Sequence, residues 1–189
     1  NVTTIIGNAN YDIGHVFGTI GGGYSGVANG SVCTTGTKAR GVTCHQSPIG
    51  DFFQVQVVSH EIGHQFTASH TWNGVGGSCA SGSQWQPASS FERGSGSTIM
   101  AYTGACGAVD NIQGTSDPYF HSRSHEQILS FITPLACDVE SATGNTVPTV
   151  SAGANFTIPS FTPFQLTATG SDGDGDTITY SWEERDLGP

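Results

Sequence analysis

Hydrophobic side chains recur at helical spacing shortly after the first quarter of the chain. Val58, Ile62 and Phe66 stand four residues apart, which predicts a helix over about residues 52–66. We expect these three side chains to face the core. His60 and His64 have the same spacing but fall on a different stripe of the helix.

Each predicted helix begins with a pair of residues that is typical of a helix start. Asp51 and Gln54 form this pair in the first helix, and Ser124 and Gln127 form it in a second helix, predicted over about residues 124–133. The second helix is expected to present an apolar face and then to end at a proline: Ile128, Phe131, Ile132, Leu135 and Pro134.

The pattern of residue types changes near residue 140. Residues 73–98 are dominated by Gly and Ser, which predicts a long irregular loop that is functional or cross-linked. Beyond residue 140, β-forming residues alternate and prolines interrupt them, so strands are expected and helices are not. The chain therefore divides into a domain at 1–140, a linker at 141–149 and a β module at 150–189.

Composition narrows the class of protein. The 189 residues carry a net charge of −10, so the chain lacks the basic surface that a nucleic-acid partner needs. No apolar run approaches the ~18–20 residues of a membrane span. Five cysteines without a CxxC pair indicate disulfides in an oxidising compartment, with one cysteine left over. These features favour a secreted protein.

The sequence HEIGHQFTASH at residues 60–70 carries the strongest chemical signal. His60 and His64 project from one helical face about one turn apart, a spacing that suits two ligands of one Zn²⁺. His70 becomes a third ligand if the chain turns sharply after Phe66. Glu61 lies beside the first ligand, within reach of water at the metal. Three histidines with one open position are typical of a hydrolytic zinc site.

This segment resembles the long zinc motif of the metzincin metalloproteases, H-E-x-x-H-x-x-G-x-x-H. Thirty residues after His70, the sequence SGSTIMAYTGACG resembles the metzincin Met-turn, with Met100 as its methionine. Softer likeness extends over residues 11–18, 24–43 and 117–137, closest to the reprolysin (adamalysin-like) branch and its bacterial secreted relatives.

The resemblance implies an α+β fold with a zinc helix, an edge strand, a Met-turn and a closing C-terminal helix. Only 59 residues precede His60, so we expect a truncated upper subdomain. A missing N-terminal fragment of the same protein is accordingly one expected partner.

The function implied is a secreted zinc endopeptidase that acts on peptide or protein substrates. His60, His64 and His70 would hold Zn²⁺, and Glu61 would serve as the general base. The edge strand at Gly26, Val27 and Ala28, continuing to Asn29, would pair with an extended substrate. The alternative is a non-catalytic adhesion or substrate-binding module built on the same scaffold.

Several residues around the motif have more than one expected role. Met100 would form the floor under the metal. Tyr102 would ligate zinc or stabilise the oxyanion, or simply pack in the turn. Thr67 stands where the family has glycine, so either Thr67 is strained or the turn is built differently. His121 and His125 would line the substrate pocket, or lie at the surface or at a helix start, and we expect structural roles for His15 and His45.

For the cysteines, the resemblance implies the pairs Cys33–Cys137 and Cys79–Cys106, with Cys44 left over. The competing scheme pairs Cys33 with Cys44 and leaves Cys137 unpaired.

The C-terminal segment resembles the start of an Ig-like or PKD-like β-sandwich, although about forty residues form only part of one. The resemblance is carried by the run SDGDGDTITYSW at residues 171–182. Asp172, Asp174 and Asp176 in this run are candidate Ca²⁺ ligands, and an acidic turn without a metal is the alternative.

Overall fold

The computed structural model describes residues 2–21, 24–80, 82 and 84–188, which divide into two compact units. The first unit comprises Asn1–Asp138 together with Glu183–Pro189, and the second comprises Val139–Trp182. The first boundary lies close to the change of composition near residue 140. The last seven residues, which we expected in the C-terminal module, belong instead to the first unit.

The first unit opens with short elements and a small sheet. Helix α1 (Val2–Ile6) and a 3₁₀ turn (Asn8–Asn10) precede three strands: β1 (His15–Gly18), β2 (Tyr24–Ala28) and β3 (Gly41–His45). Their order is β1-β3-β2, with β1 parallel and β2 antiparallel to β3. Strand β2 therefore lies at an edge of this sheet.

His15 connects the sheet to the helix that carries the zinc motif. One ring nitrogen lies 2.7 Å from Gln65 Oε1 and the other lies 2.7 Å from Thr43 Oγ1. Gln65 also donates from Nε2 to the carbonyl of Gly14 at 3.0 Å. Because Thr43 and Gln65 are fully buried, these bonds satisfy polar groups that water cannot reach. The contacts agree with the structural role expected for His15.

The helical run over the zinc motif changes pitch where the ligands begin. Phe52–Ser59 is π-helical, and α2 (His60–Gln65) continues as an α-helix. The wider π turns rotate the apolar stripe, because each turn holds more residues than an α-helical one. Phe53 and Val57 are the buried hydrophobics, whereas Val58, Ile62 and Phe66 are only half-buried. The predicted core face was therefore wrong.

The predicted helix caps were also wrong. Asp51 makes no capping hydrogen bond and has helical backbone angles of −62° and −37°, so the helical run passes through it. The later helix is α4 (Ser122–Ile132), and its cap is His121, whose Nδ1 accepts a hydrogen bond from Arg123 N at 3.1 Å. Ser124, the predicted cap, is buried within the first turn.

The last residues of the chain pack on α4. Glu183 Oε2 accepts a hydrogen bond from the Ser122 N–H at 2.7 Å, and Arg185 donates to both carboxylate oxygens of Glu126 at 2.8 and 3.0 Å. The Arg185 guanidinium also lies over the ring of Phe91, 5.1 Å from its centre. These contacts explain why the segment belongs to the first unit.

Among the described residues, buried hydrophobic side chains form two clusters. One contains Ala68, Ile99 and Met100, and the other contains Trp72, Cys79 and Cys106. Many fully buried side chains around them are polar: Thr43, Gln65, Thr71, Ser89, Ser90, Ser95, Thr98 and Thr103. Hydrogen bonds therefore hold the loops around the zinc motif as much as apolar packing does.

Two disulfides close the first unit, and they are the pairs that the resemblance implies. Cys33 is joined to Cys137, and Cys79 is joined to Cys106. The competing pair of Cys33 with Cys44 is wrong, since Cys44 in β3 is a free thiol. In its described residues, the long loop at 73–98 contains a 3₁₀ turn (Gly77–Cys79) and an isolated bridge from Glu92 to Trp72. The second disulfide ties this loop to α3 (Gly107–Asp110), which follows Cys106 directly.

The second unit contains two short antiparallel strands, β4 (Thr149–Ser151) and β5 (Thr169–Ser171). The two strands have three residues each, and the partial β-sandwich expected for this segment stays a prediction. Among the described residues of the whole chain, no helix has the length and apolar character needed to cross a membrane.

The three aspartates of the second unit are engaged in local hydrogen bonds. Asp172 Oδ1 accepts from the N–H groups of Asp174 and Asp176 at 2.8 and 3.2 Å. The Asp174 carboxylate accepts from the Thr146 N–H and hydroxyl at 2.5 and 3.1 Å. Within the described residues these aspartates do not converge as a metal-binding group. A Ca²⁺ site at these aspartates stays a prediction, as does the acidic turn without a metal.

Candidate metal centre

Helix α2 brings the first two histidines of the motif together. His60 and His64 lie one turn apart on the same face, with ring centres 4.8 Å apart. The helix then ends in a reverse turn that returns His70 to the same point, with its ring centre 4.6 Å from that of His64. The sequence predicted this convergence, and the structure groups the three side chains as possible ligands of one ion.

The reverse turn is built on a threonine in the left-handed region. Thr67 has a φ of +68°, and its N–H bonds to the carbonyl of His64 at 2.9 Å. The next N–H, that of Ala68, bonds back to Gly63 at 3.0 Å. These two bonds form the Schellman motif, in which glycine is the usual residue at this position. The turn is therefore the one that glycine usually makes, and Thr67 is strained in it, which is the first of the two alternatives.

Each histidine is oriented by a backbone carbonyl. The Nδ1 atoms lie 2.7 Å from the Ile99 carbonyl for His60, 2.8 Å from the Ala68 carbonyl for His64, and 2.7 Å from the Gln84 carbonyl for His70. Because a carbonyl can only accept, each Nδ1 must carry the proton. All three Nε2 atoms are then unprotonated in the neutral rings, with lone pairs available to a metal.

These lone pairs point at one another. His70 Nε2 lies 3.2 Å from His60 Nε2 and 3.0 Å from His64 Nε2. Three acceptors cannot hydrogen-bond one another, so the arrangement calls for a cation between them. Tetrahedral zinc with Zn–N bonds of about 2.05 Å needs nitrogen atoms about 3.3 Å apart. The donor set therefore fits zinc, and three ligands leave a fourth position open.

Burial keeps these ligands neutral. Desolvation lowers the pKa of His60 well below its usual value, and the neighbouring His64 and His70 lower it further. Desolvation and His64 together lower the pKa of His70 to about 4, and desolvation also lowers the pKa of His64. Neutral imidazole is the form that binds a metal, so the site is prepared for one near neutral pH.

Glu61 lies beside the ligands with its carboxyl largely removed from water. It is 8% exposed, and desolvation raises its pKa to about 7. Strand β2 passes directly over it: a Cβ atom on Gly26 would lie only 2.2 Å from Glu61 Oε1. A side chain at this position would therefore displace the Glu61 carboxyl group from its place beside the strand.

Two cavities meet at this point, and both are lined by Gly26, Glu61 and Tyr102. The larger, of about 390 Å³, also contains Val27 and Ala28 of β2, the two metal-facing residues His64 and His70, and the turn at residues 67–69. The smaller, of about 240 Å³, contains His60, with Gln56, Val57 and Thr103 further along its wall. The site thus has room on two sides of Glu61.

Met100 lies under the helix in full burial. Its Sδ would be only 2.4 Å from a Cβ atom on Gly63, so the glycine permits the contact. Tyr102 lies on the other side of the ligands. Its ring meets that of His70 edge-on at 4.6 Å and stacks on Trp72 at 5.2 Å.

The remaining histidines lie away from this centre. His121 stacks on Phe91 at 5.9 Å and caps α4, and His125 is exposed on the same helix. Neither residue lines the two cavities at the metal centre. His45 lies at the end of β3 against the rings of Phe52 and Phe53.

Sequence reasoning missed three residues that shape the site. Gln84 orients His70 through its backbone carbonyl. Every residue type has such a carbonyl, so the sequence does not mark this role. Gln56 spans the smaller cavity, one turn before His60. Glu92 gave the clearest signal, because it is the only acidic residue in the loop of residues 73–98.

The comparisons with known proteins agree with this geometry. Residues 2–116, more than half of the chain, match a family described as metallo-peptidase family M12B, reprolysin-like. No curated protein and no solved structure matches the chain.

Proposed function

The chain belongs to the reprolysin-like M12B metallopeptidases, and from this premise we propose that it is a secreted zinc endopeptidase with Glu61 as its general base. The observation that carries the proposal is the convergence of three unprotonated Nε2 atoms, with two separations of 3.0 and 3.2 Å, next to a buried carboxyl group. A zinc metallopeptidase in general follows from the family. The assignment of roles to residues is our proposal.

His60, His64 and His70 would hold the zinc ion. When bound, zinc lowers the pKa of a coordinated water and polarises a carbonyl group. The three backbone carbonyls behind the rings fix each imidazole in the required tautomer and orientation. Met100 would form the floor of the site, since it supports the helix beneath the ligands without supplying one.

Glu61 would move the proton. In its ionised form the carboxylate accepts a proton from the attacking water, and it then donates this proton to the amine nitrogen as the peptide bond breaks. In the zinc-free chain the pKa of Glu61 is raised to about 7, so this carboxyl group can gain and lose a proton near neutral pH. Burial is the physical cause of that value.

Strand β2 would align the substrate. One edge of β2 pairs with β3, and among the described strands none pairs with its other edge. An extended peptide can add to this free edge at Gly26, Val27 and Ala28 through backbone hydrogen bonds. The close approach at Gly26 would then bring the scissile bond over Glu61.

Tyr102 would act as a wall of the site. Its ring packs against both His70 and Trp72, which supports the packing role over ligation or oxyanion stabilisation. Secretion is supported by the two disulfides, since such bonds persist in oxidising compartments.

The test is hydrolysis of a quenched-fluorescent peptide library by the zinc-loaded chain beside its Glu61→Gln variant. Glutamine keeps the shape of Glu61 but cannot accept the proton. We expect the parent to cleave internal peptide bonds and the variant to lose at least about 100-fold in rate with zinc still bound. A variant as active as the parent would refute the general-base assignment. A zinc-bound parent that cleaves nothing would support the non-catalytic alternative.

A further inference from the structure

A buried carboxylate outside the two cavities joins the residue after His70 to the loop that orients His60. Glu92 is 9% exposed and lies in a loop that is otherwise poor in charge. Its Oε1 accepts from the hydroxyls of Thr71 and Thr98, both at 2.5 Å. Its Oε2 accepts from the N–H groups of Ser97 and Thr98, at 2.7 and 3.0 Å. Four hydrogen bonds fill the acceptor capacity of the carboxylate.

The partners of Glu92 are the immediate neighbours of the metal centre. Thr71 follows His70 directly. Thr98 precedes Ile99, whose carbonyl orients His60. Two backbone bonds join the same segments, from Glu92 N to the Thr71 carbonyl at 2.8 Å and from Thr71 N to the Met100 carbonyl at 3.2 Å. Glu92 thus links the chain that follows His70 to the loop whose Ile99 carbonyl orients His60.

We propose that Glu92 is a positioning residue that sets the separation of His60 and His70, and through it the affinity of the site for zinc. The inference rests on the proposed function in taking zinc as the resident metal. Glu92 contacts neither ligand, so it acts through Thr71 on one side and through the carbonyl of Ile99 on the other.

The bonding pattern explains why this brace is sensitive to truncation. Removing the carboxylate leaves the N–H groups of Ser97 and Thr98 without their acceptor in a buried place, so the loop must shift to satisfy them. That shift would move the Ile99 carbonyl and release the orientation of His60. Loss of an outer partner of a metal ligand typically lowers metal affinity 10–100-fold.

Glutamine offers a conservative replacement. Its Oε1 can accept from both N–H groups, and its Nε2 can donate to the two threonine hydroxyls once these rotate. The Glu92→Gln variant should therefore retain the loop geometry, whereas Glu92→Ala should not. Thr71→Val removes one hydroxyl beside His70 and serves as a milder variant if Glu92→Ala does not fold.

Asp110 supplies a matched control elsewhere in the same unit. Its Oδ2 accepts from the N–H groups of Val75 and Gly76, both at 2.7 Å, and none of these residues adjoins a zinc ligand. Asp110→Ala therefore removes a comparable carboxylate brace. It should lower stability without lowering zinc affinity.

The experiment measures zinc affinity by competition with a chelator, and peptide cleavage at limiting and at excess zinc, for each folded variant. We expect Glu92→Ala to bind zinc 10–100-fold more weakly and Thr71→Val about 3–10-fold more weakly, with Glu92→Gln within about threefold of the parent. Excess zinc should restore the apparent kcat of Glu92→Ala, and KM should stay unchanged because Glu92 lines neither cavity.

The inference is overturned if Glu92→Ala and Thr71→Val keep the parent's zinc affinity, or if Asp110→Ala loses as much affinity as Glu92→Ala. It is also overturned if Glu92→Gln is as weak as Glu92→Ala, since charge and not loop geometry would then matter. A parent that binds zinc but cleaves nothing refutes the proposed endopeptidase and leaves the Glu92 comparison intact. A parent that binds no zinc refutes both.

Discussion

At the scale of single residues, the site depends on side chains placed where their type is unusual. Thr67 occupies a left-handed backbone conformation that glycine normally adopts, and it does so in the turn that returns His70 to the metal centre. Glu61 is a carboxyl group with little access to water. Both residues carry a cost in stability in exchange for the geometry of the site.

We predict that Thr67→Gly stabilises the zinc-free chain by up to about 1 kcal/mol. Removing the side chain relieves a strain of roughly 1–2 kcal/mol, partly offset by the greater entropy of glycine in the unfolded state. Urea unfolding measures the change. Thr67→Ala, which keeps a Cβ atom in the same conformation, is the control and should gain less. A Thr67→Gly variant less stable than the parent would contradict the account.

The sequence predicted the chemistry at this scale better than the supports behind it. The spacing of His60, His64 and His70 predicts a shared ion because helix geometry alone fixes two of them. The carbonyls that orient the rings come from Ile99, Ala68 and Gln84, and a backbone group leaves no mark on the residue type. The charge of Glu92 was a signal that could have been noticed. Its hydrogen-bond partners depend on how the loops pack, which no local sequence pattern encodes.

At the scale of elements, the change from π-helix to α-helix positions the ligands. The π-helical segment ends at Ser59, immediately before His60. A single helical period was assumed for the whole run, so the predicted apolar face was rotated from the real one. Both capping predictions failed for a related reason, because helix ends are set by the preceding chain. Asp51 already has a helical backbone conformation. The N-terminus of α4 is capped by His121 instead of Ser124.

Gln56 on the π-helical segment should limit the size of the smaller cavity. Its Nε2 donates to the Thr103 carbonyl at 2.8 Å, and its Oε1 accepts from the Ser116 N–H at 3.1 Å. We predict that Gln56→Ala enlarges this cavity and shifts cleavage towards substrates with a bulkier side chain next to the scissile bond.

Cleavage profiles over a peptide library measure this shift. Gln54→Ala is the control, because Gln54 is exposed on the same segment and should leave the profile unchanged. An unchanged profile for Gln56→Ala would show that the smaller cavity does not receive a substrate side chain.

At the scale of the whole molecule, the family match covers residues 2–116 of a unit that extends to Asp138 and includes the last residues of the chain. The division near residue 140 was visible in the composition. The composition gave no sign that Glu183–Pro189 belong to the first unit. Their place depends on the ion pair of Arg185 with Glu126, which lie about 60 positions apart in the sequence. The partial β-sandwich expected beyond residue 149 stays a prediction.

The buried titratable groups of the metal centre predict how the stability of the zinc-free chain depends on pH. The pKa values of the three histidines are lowered in the native chain. Below about pH 6.5 the unfolded chain therefore binds more protons at these histidines than the native chain does, which lowers stability. Glu61 acts oppositely between about pH 7 and 4.5, because its raised pKa lets the native chain bind a proton first. Three groups outweigh one, so stability should fall as the pH falls from 6.5 towards 4.

Thermal unfolding of the zinc-free chain at pH 7.5 and pH 5 measures this dependence. Each histidine contributes up to about 1.4 kcal/mol per pH unit to the change in unfolding free energy between about pH 6.5 and 4. His70→Asn should therefore reduce the slope of stability against pH by the contribution of one histidine. Bound zinc should shift the loss of stability to lower pH, because protons must then compete with the metal for the histidines. Equal pH slopes for the parent and His70→Asn would contradict the prediction.

The most direct test of the central claim is anomalous diffraction at the zinc edge from crystals of the zinc-loaded chain. The account predicts one zinc ion per chain, bonded to Nε2 of His60, His64 and His70 at about 2.0–2.1 Å, with a fourth position facing Glu61. A zinc ion held elsewhere, or by fewer than these three nitrogens, would contradict it.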